Sequence, residues 1–153
     1  MNADANVVSL NPAAAAADAD IDAMDVSERW KQYFKTVRRY GGLQAPLAKS
    51  LPKEQRLAAS KELMPPFAST VLAFVFGFFY YLAKGMWKKG LVLLAITIAA
   101  LIVVGSLLYM IGGETLADAT RFLGGAIFAG MAPRDFYAFK VERDDGWMPV
   151  RPF

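Results

Sequence analysis

The sequence contains no cysteine and no histidine among its 153 residues. These absences exclude thiol nucleophiles, disulfides, zinc sites built on Cys or His, and an imidazole general base. Charged residues are also scarce, at 20% compared with about 25% in typical soluble domains. Hydrophobic residues make up 56% of the chain. We therefore predict a membrane protein that is not an enzyme, with no catalytic residue, no metal site and no cofactor.

Charge is segregated along the chain. Residues 1–25 carry five Asp and no basic residue, and residues 26–63 carry nine basic and three acidic residues. The stretch 84–89 adds three lysines, whereas residues 90–133 hold only three charged residues. Because the basic residues flank the hydrophobic segments, as they do on the cytoplasmic side of membrane proteins, we expect a lipid bilayer with anionic headgroups as the partner, and no nucleic acid.

Composition divides the chain into four parts. Residues 1–25 are rich in Ala and Asp and contain no aromatic residue, so we predict a disordered tail that cannot bury enough apolar surface to fold. This tail also lacks the basic start and apolar core of a signal peptide. Residues 26–63 predict basic amphipathic cytoplasmic helices, residues 64–133 a membrane domain, and residues 134–153 a cytoplasmic C-terminal tail.

The first amphipathic helix is predicted from a capping box and a stripe of apolar residues. Asp25 stands at the N-cap position with Glu28 three residues later, and Gly41-Gly42 ends the pattern. The apolar residues at helical spacing are Val26, Trp30, Tyr33, Phe34, Val37 and Tyr40. Such a basic helix either packs on its own protein, lies in the membrane interface, or enters the groove of a partner. A second short helix is predicted over residues 52–63.

Three apolar segments follow, and they decide the fold class. Residues 90–113 are 24 residues without a charge, about 36 Å as a helix, which exceeds the ~30 Å hydrocarbon core. Residues 115–133 predict a second spanning helix, although two charges stand in its first turns. Residues 67–83 are 17 residues, about 25 Å, and rich in aromatic residues. We predict an all-α integral membrane protein with two spanning helices, a short aromatic re-entrant or interfacial helix (alternatively a third spanning one), and N-terminal amphipathic helices.

The positive charges predict the topology. If all three segments crossed the membrane, one basic cluster would lie outside, against the positive-inside bias. One arrangement avoids this: residues 67–83 enter from the cytoplasmic side and return, or lie shallow, while 90–112 and 115–133 form a spanning hairpin. Both termini and the lysine loop would then be cytoplasmic, and Gly112–Thr115 would be the outside turn.

The segment Phe67–Gly90 also carries a family resemblance. It contains the aromatic core Ala73-Phe74-Val75-Phe76-Gly77, then Tyr80-Tyr81, then Met86-Trp87 before a basic turn, and the chain closes with Asp145-Gly146-Trp147. These motifs resemble the bacterial family of small membrane proteins called domain of unknown function 2628, over roughly residues 60–147. The resemblance implies a protein of the bacterial inner membrane and implies no activity.

We expect a non-enzymatic membrane protein that binds another protein or organises lipid. Its candidate interface residues are Trp30, Tyr33, Phe34, Lys35, Arg38, Arg39, Phe74, Phe76, Gly77, Tyr80, Tyr81, Met86, Trp87, Lys88 and Lys89. The alternative is a small transporter or channel subunit, lined by Thr97, Ser106 and an Asp118–Arg121 pair. The alternative requires a homo-oligomer. Two pairs of small residues four apart, Ala95 with Ala99 and Gly125 with Ala129, favour either the packing of one helix on the other or such an oligomer.

Overall fold

The computed structural model describes residues 18–40, 42–43, 61, 63–118 and 120–150. In these ranges the regular structure is helical, without a strand, which confirms the all-α prediction. The five longer helices are α1 (Glu28–Arg39), α2 (Phe67–Phe76), α3 (Phe78–Ala83), α4 (Trp87–Asp118) and α5 (Arg121–Lys140). The predicted helix over residues 52–63 lies, apart from positions 61 and 63, outside the described residues.

Helix α1 begins later than the capping box predicted. Its N-cap is Ser27, which makes no side-chain capping bond, so the assignment of Asp25 and Glu28 to a capping box was wrong. The predicted end is close to the observed one, because α1 stops at Arg39. Gly42 follows with a φ of +72°, and its N–H donates to the Val37 carbonyl at 2.9 Å, a bond that closes the helix end.

The predicted disordered tail is partly folded. Residues 18–22 are helical, and Ile21 is fully buried in the aromatic core. Asp22 pairs with Lys35 of α1 at 2.7 Å. Ile21 supplies the apolar anchor that a composition of Ala and Asp hides, so the prediction of disorder does not hold for residues 18–25. Residues 1–17 lie outside the described part of the chain.

Helices α2 and α3 form a short helical hairpin. They meet at Gly77, whose φ of +46° favours glycine and interrupts the helix. Ser69 on α2 hydrogen-bonds to Tyr80 on α3, so the two helices lie side by side. Ten residues of α2 measure about 15 Å, half the thickness of a hydrocarbon core. Neither helix is long enough to cross a bilayer alone.

Contacts with α5 give the direction of each leg. Going along α2, Thr70 shares a cavity with Ala129, and Phe74 reaches Gly125, where an added Cβ would stand 2.6 Å from the Phe74 carbonyl oxygen. Going along α3, Tyr81 returns to the level of Asp135 and donates to its carboxylate. The chain therefore descends along α5 to the level of Gly125 and comes back, as a re-entrant segment does.

Helices α4 and α5 run antiparallel. An added Cβ on Gly105 would lie 3.9 Å from Thr120, and one on Gly124 would lie 3.8 Å from Leu101. A straight helix would place Asp118 about 20 Å beyond Gly105, too far for two residues to return to Thr120. Helix α4 is therefore bent between positions 105 and 118. The turn predicted at Gly112–Thr115 is helical, but the chain reverses around it.

In the described ranges, one helix is long and apolar enough to cross a membrane. It is the part of α4 from Trp87 to Gly112, which is 26 residues long, and only 11% of the most apolar 18-residue stretch within it is buried in the molecule. The predicted second span, 115–133, is divided between the end of α4 and the start of α5, and neither part meets the same criterion. The structure thus supplies one candidate span rather than two.

Most of the described charged residues and a cluster of buried aromatic residues lie at one end of the molecule, which we call the head: residues 27–39, 84–89 and 134–150. There Trp30 packs on Phe136 with ring centroids 4.7 Å apart, and Phe34 packs on Tyr137 at 5.6 Å. The opposite end, residues 106–120, we call the tip. Helix α5 continues to Lys140, so the first seven residues of the predicted C-terminal tail belong to that helix.

Candidate functional site

The predicted aromatic residues of α1 lie inside the head. Trp30, Tyr33 and Phe34 are 5%, 7% and 0% exposed. This matches the packing alternative among the three interpretations of α1, since all three side chains are almost fully buried within the molecule. Burial raises the pKa of the Tyr33 phenol to about 12, so its hydroxyl stays protonated at neutral pH.

The basic residues of α1 divide into bonded and open ones. Lys31 pairs with Glu28 at 2.9 Å and Lys35 pairs with Asp22, while Arg38 hydrogen-bonds to the Tyr137 hydroxyl. Arg29 and Arg39 are exposed and line a cavity beside the start of α2. Among the described residues, neither of these two arginines has an acidic partner.

The predicted aromatic residues of the hairpin point in two directions. Phe74, Phe76 and Trp87 are 39%, 53% and 46% exposed and form part of the apolar outer surface. The inward-facing residues are Gly77, Tyr80, Tyr81 and Met86. The inner set attaches the hairpin to α5, since the Tyr81 and Phe128 rings stack edge to face at 5.6 Å.

Lys88 and Lys89, predicted as a basic turn, differ in environment. Lys88 pairs with Asp145 at the surface. Lys89 is only 1% exposed and pairs with Asp144 at 2.8 Å. This pairing lowers the pKa of the Asp144 carboxyl, which also accepts a bond from the Gly146 N–H. Both lysines fasten residues 141–150 to the start of α4.

Asp135 is the centre of a buried polar network in the head. It is 0% exposed, and its carboxylate accepts the Tyr81 hydroxyl and the Val150 N–H, each at 2.7 Å. Burial raises the pKa of Asp135, while those two donors and the positive charge of Lys89 act against that rise. The network joins α3, α5 and the C-terminal segment, so its role is to hold the head together.

An upper cavity of about 540 Å³ lies between α1 and the chain entering α2. Its α1 wall presents Arg29, Gln32, Tyr33, Thr36 and Arg39, and its other wall is residues 64–67. This wall is apolar and exposed: the side chain at each end, Met64 and Phe67, is more than two-thirds exposed. The cavity therefore combines guanidinium groups with the beginning of an apolar surface.

A lower cavity of about 400 Å³ continues from the upper one. The two share Tyr33 and Pro65, and the lower one extends along α2 to Thr70 and along α5 to Gly130. Its remaining lining is Leu63, Ala129, Pro133 and Arg134. We call the two cavities together the cleft. The cleft is basic beside α1 and mostly apolar between α2 and α5.

The residues predicted to line a transport path do not converge. Thr97 is buried against Gly124, whereas Ser106 is exposed on the outer face of α4. Asp118 is exposed at the tip, and the Arg121 side chain lies outside the described residues. Ala95 and Ala99 are likewise on the outer face, whereas Gly125 packs on α2. Of the two small-residue pairs, only the one that includes Gly125 takes part in a close helix contact here.

Sequence reasoning missed several residues that the structure brings together. Asp135 and its neighbours in the C-terminal segment were assigned to a tail, because the donors to Asp135 are 54 and 15 residues away along the chain and no local pattern identifies them. Arg29 was missed because it lies beside the aromatic stripe. Gly130 carries no signal in the sequence. In the described ranges no group of three or more acidic residues could hold a metal ion.

Comparison with known proteins gave one match. The profile of a family described as "Protein of unknown function (DUF2628)" matches residues 25–143. The match includes all five helices, from α1 to α5. No curated protein matches, and no solved structure matches.

Proposed function

Because the chain belongs to the DUF2628 family, as its aromatic motifs predicted, and that family is described only as of unknown function, we propose a function from the chain's own geometry. The protein is a non-enzymatic component of the bacterial inner membrane that acts by binding lipid at the cytoplasmic surface. Its membrane part is the α2–α3 hairpin with α4 and α5, and its working part is the head.

The observation that carries this proposal is the division of the surface. Away from the head, large apolar side chains are exposed, with Phe67 at 79%, Ile102 at 63% and Met110 at 82%. Soluble monomers rarely leave such a continuous apolar surface uncovered. A bilayer is a solvent that would cover it on all sides. The head, in contrast, bears ion pairs and arginines that require water or headgroups.

The direction of the chain supports a one-sided arrangement. The re-entrant hairpin starts and ends at the head, and α4 leaves the head while α5 returns to it. The described basic clusters, on α1 and at residues 84–89, therefore lie on the same side of the membrane part. Under the positive-inside rule that side is the cytoplasm.

The burial of the apolar α1 side chains favours lipid over a protein as the partner. A helix that docks in a partner's groove does so with its apolar face, and that face is buried here against Phe136 and Tyr137. The side that remains open presents Arg29 and Arg39, which are suited to phosphate groups rather than to apolar pockets.

Hydrogen exchange in nanodiscs tests this proposal. The full chain is placed in two kinds of nanodisc, one of phosphatidylcholine alone and one in which about a third of the lipid is phosphatidylglycerol. The rate of amide hydrogen exchange in α1 is then compared between the two. We expect α1 amides to exchange more slowly with phosphatidylglycerol present, and this protection to weaken in 0.5 M salt because charge attraction is screened. Equal exchange in both discs would contradict a lipid-binding head.

The transport alternative has a separate outcome. Ion flux through proteoliposomes that disappears with Asp118→Ala would favour a channel or carrier and count against the proposal. We expect no flux above that of empty liposomes, because Thr97 and Ser106 face different sides of α4.

A further inference from the structure

We propose that the cleft between α1, α2 and α5 binds one anionic phospholipid, with its phosphate at Arg29 and Arg39 and an acyl chain along the lower cavity. This inference rests on the proposed function and gives it a defined site. General attraction of the head to a charged surface would need no cleft, so the two ideas can fail separately.

The positive end of the cleft is built from the arginines that the head leaves open. Lys31 and Lys35 are held by Glu28 and Asp22. Arg29 and Arg39 lie on one wall of the upper cavity, with Gln32 and Thr36 between them along the same helix. Guanidinium groups donate two parallel hydrogen bonds to phosphate oxygens. The two arginines are ten residues, about 15 Å, apart along α1, so both reach one phosphodiester when their long side chains extend towards each other over Gln32 and Thr36.

The apolar end follows at the depth where an acyl chain begins. Phe67 closes the upper cavity and starts the helix that descends along α5. The lower cavity reaches Thr70 on that helix and Gly130 on α5, about one helical turn deeper. Its walls include Leu63, Ala129 and Pro133, which offer an apolar path next to the basic end. Arg134 also lines this cavity and donates to the Leu43 carbonyl, so the path runs beside a guanidinium that the protein itself holds. A free phosphate or a soluble phosphoester would leave this path empty.

The two cavities are open on one side, and their volumes fall within the range of ligand sites. Cavities that hold small molecules measure about 300–1,000 Å³. The upper cavity, at about 540 Å³, accommodates a glycerophosphate headgroup, and the lower one, at about 400 Å³, accommodates part of one acyl chain. Tyr33, which lines both cavities, marks the boundary between headgroup and chain.

Gly130 gives a means of closing the apolar part without disturbing the fold. A Cβ placed there would meet no atom within 4 Å. A leucine at this position therefore projects into the lower cavity, whereas an alanine leaves most of the space. Comparing Gly130→Leu with Gly130→Ala separates the effect of filling the lower cavity from the effect of replacing the glycine itself.

The experiment measures binding of short-chain lipids to the full chain in a neutral detergent. The probes are dioctanoyl phosphatidylglycerol, dioctanoyl phosphatidylcholine and inorganic phosphate, and native mass spectrometry counts the bound molecules. The charge variant is Arg29→Gln with Arg39→Gln. Its matched control is Lys31→Gln with Lys35→Gln, which removes the same charge from the same helix outside the cleft. Circular dichroism checks that each variant keeps its helix content.

We expect one phosphatidylglycerol to bind saturably, with an affinity that falls roughly tenfold or more in the arginine variant, as loss of charge-assisted hydrogen bonds implies. The lysine control should bind within about twofold of wild type, since its residues lie outside the cleft. Gly130→Leu should weaken binding while Gly130→Ala retains it. The charge-preserving variant Arg29→Lys with Arg39→Lys serves if the glutamine variant loses helix content. This lysine variant should bind phosphatidylglycerol with an affinity between those of the wild type and the glutamine variant.

Three results would overturn the proposal. Equal binding of phosphatidylcholine would show that charge does not select the ligand. Competition by inorganic phosphate alone, with no effect of Gly130→Leu, would assign the arginines to a free phosphate. Arginine variants that bind phosphatidylglycerol as tightly as wild type would exclude the cleft as the lipid site. If α1 were still protected from exchange in anionic nanodiscs, the head would bind anionic lipid at another place.

Discussion

At the scale of single residues, the head depends on groups that look alike in the sequence and behave differently in the fold. Lys88 and Lys89 are neighbours, yet one is at the surface and the other is buried beside Asp144 and within the field of Asp135. Their partners are 57 and 55 residues away along the chain. The sequence predicted both lysines as membrane-flanking charges, because no local pattern identifies such distant partners.

This difference predicts unequal costs for two adjacent substitutions. Lys89→Ala leaves the buried Asp135 without a nearby cation, and we expect a loss of about 2–4 kcal/mol in the free energy of unfolding. Lys88→Ala removes an exposed pair and should cost less than about 1 kcal/mol. Thermal unfolding of both variants in the same nanodiscs, followed by circular dichroism, measures the difference. Equal destabilisation would show that Lys89 is not buried as described.

At the scale of helices, the hydrophobic pattern of the sequence predicts much of the architecture, whereas the remainder depends on close packing between helices. The shortness of residues 67–83 favoured a re-entrant or interfacial helix over a third spanning one, and the structure divides this segment into the short helices α2 and α3. The apolar run from position 90 indicated the long helix α4. The break at Gly77 was not predicted, because its left-handed backbone is needed only when α3 turns back along α2. The boundary of α5 was also missed, since Asp135 looks like the start of a polar tail until its donors are seen.

The contact between α2 and α5 predicts opposite effects at two adjacent glycines. A Cβ on Gly125 would stand 2.6 Å from the Phe74 carbonyl oxygen, so Gly125→Ala must push the helices apart. We expect a loss of about 1–3 kcal/mol, as for overpacked cores. A Cβ on Gly124 meets Thr97 at an ordinary 3.5 Å, so Gly124→Ala should be neutral or stabilising by up to about 1 kcal/mol through helix propensity. Unfolding temperatures in matched nanodiscs give both values, and a reversed order would contradict the contact.

At the scale of the whole molecule, an apolar body carries a charged and aromatic head at one end. The positive-inside pattern predicted that the basic clusters share a side, and the contacts of the head place residues 84–89 beside residues 134–150. The proposed cytoplasmic location of the head combines this arrangement with the positive-inside rule.

Cysteine accessibility in sealed spheroplasts tests this central claim most directly. The chain has no cysteine of its own, so single cysteines at Ser27, Glu142 and Glu114 report without background. Ser27 and Glu142 are exposed in the head, and Glu114 is exposed at the tip. With an impermeant maleimide, we expect labelling at position 114 in sealed spheroplasts and labelling at positions 27 and 142 only after the membrane is permeabilised. Labelling of position 27 or 142 in sealed spheroplasts would contradict the account.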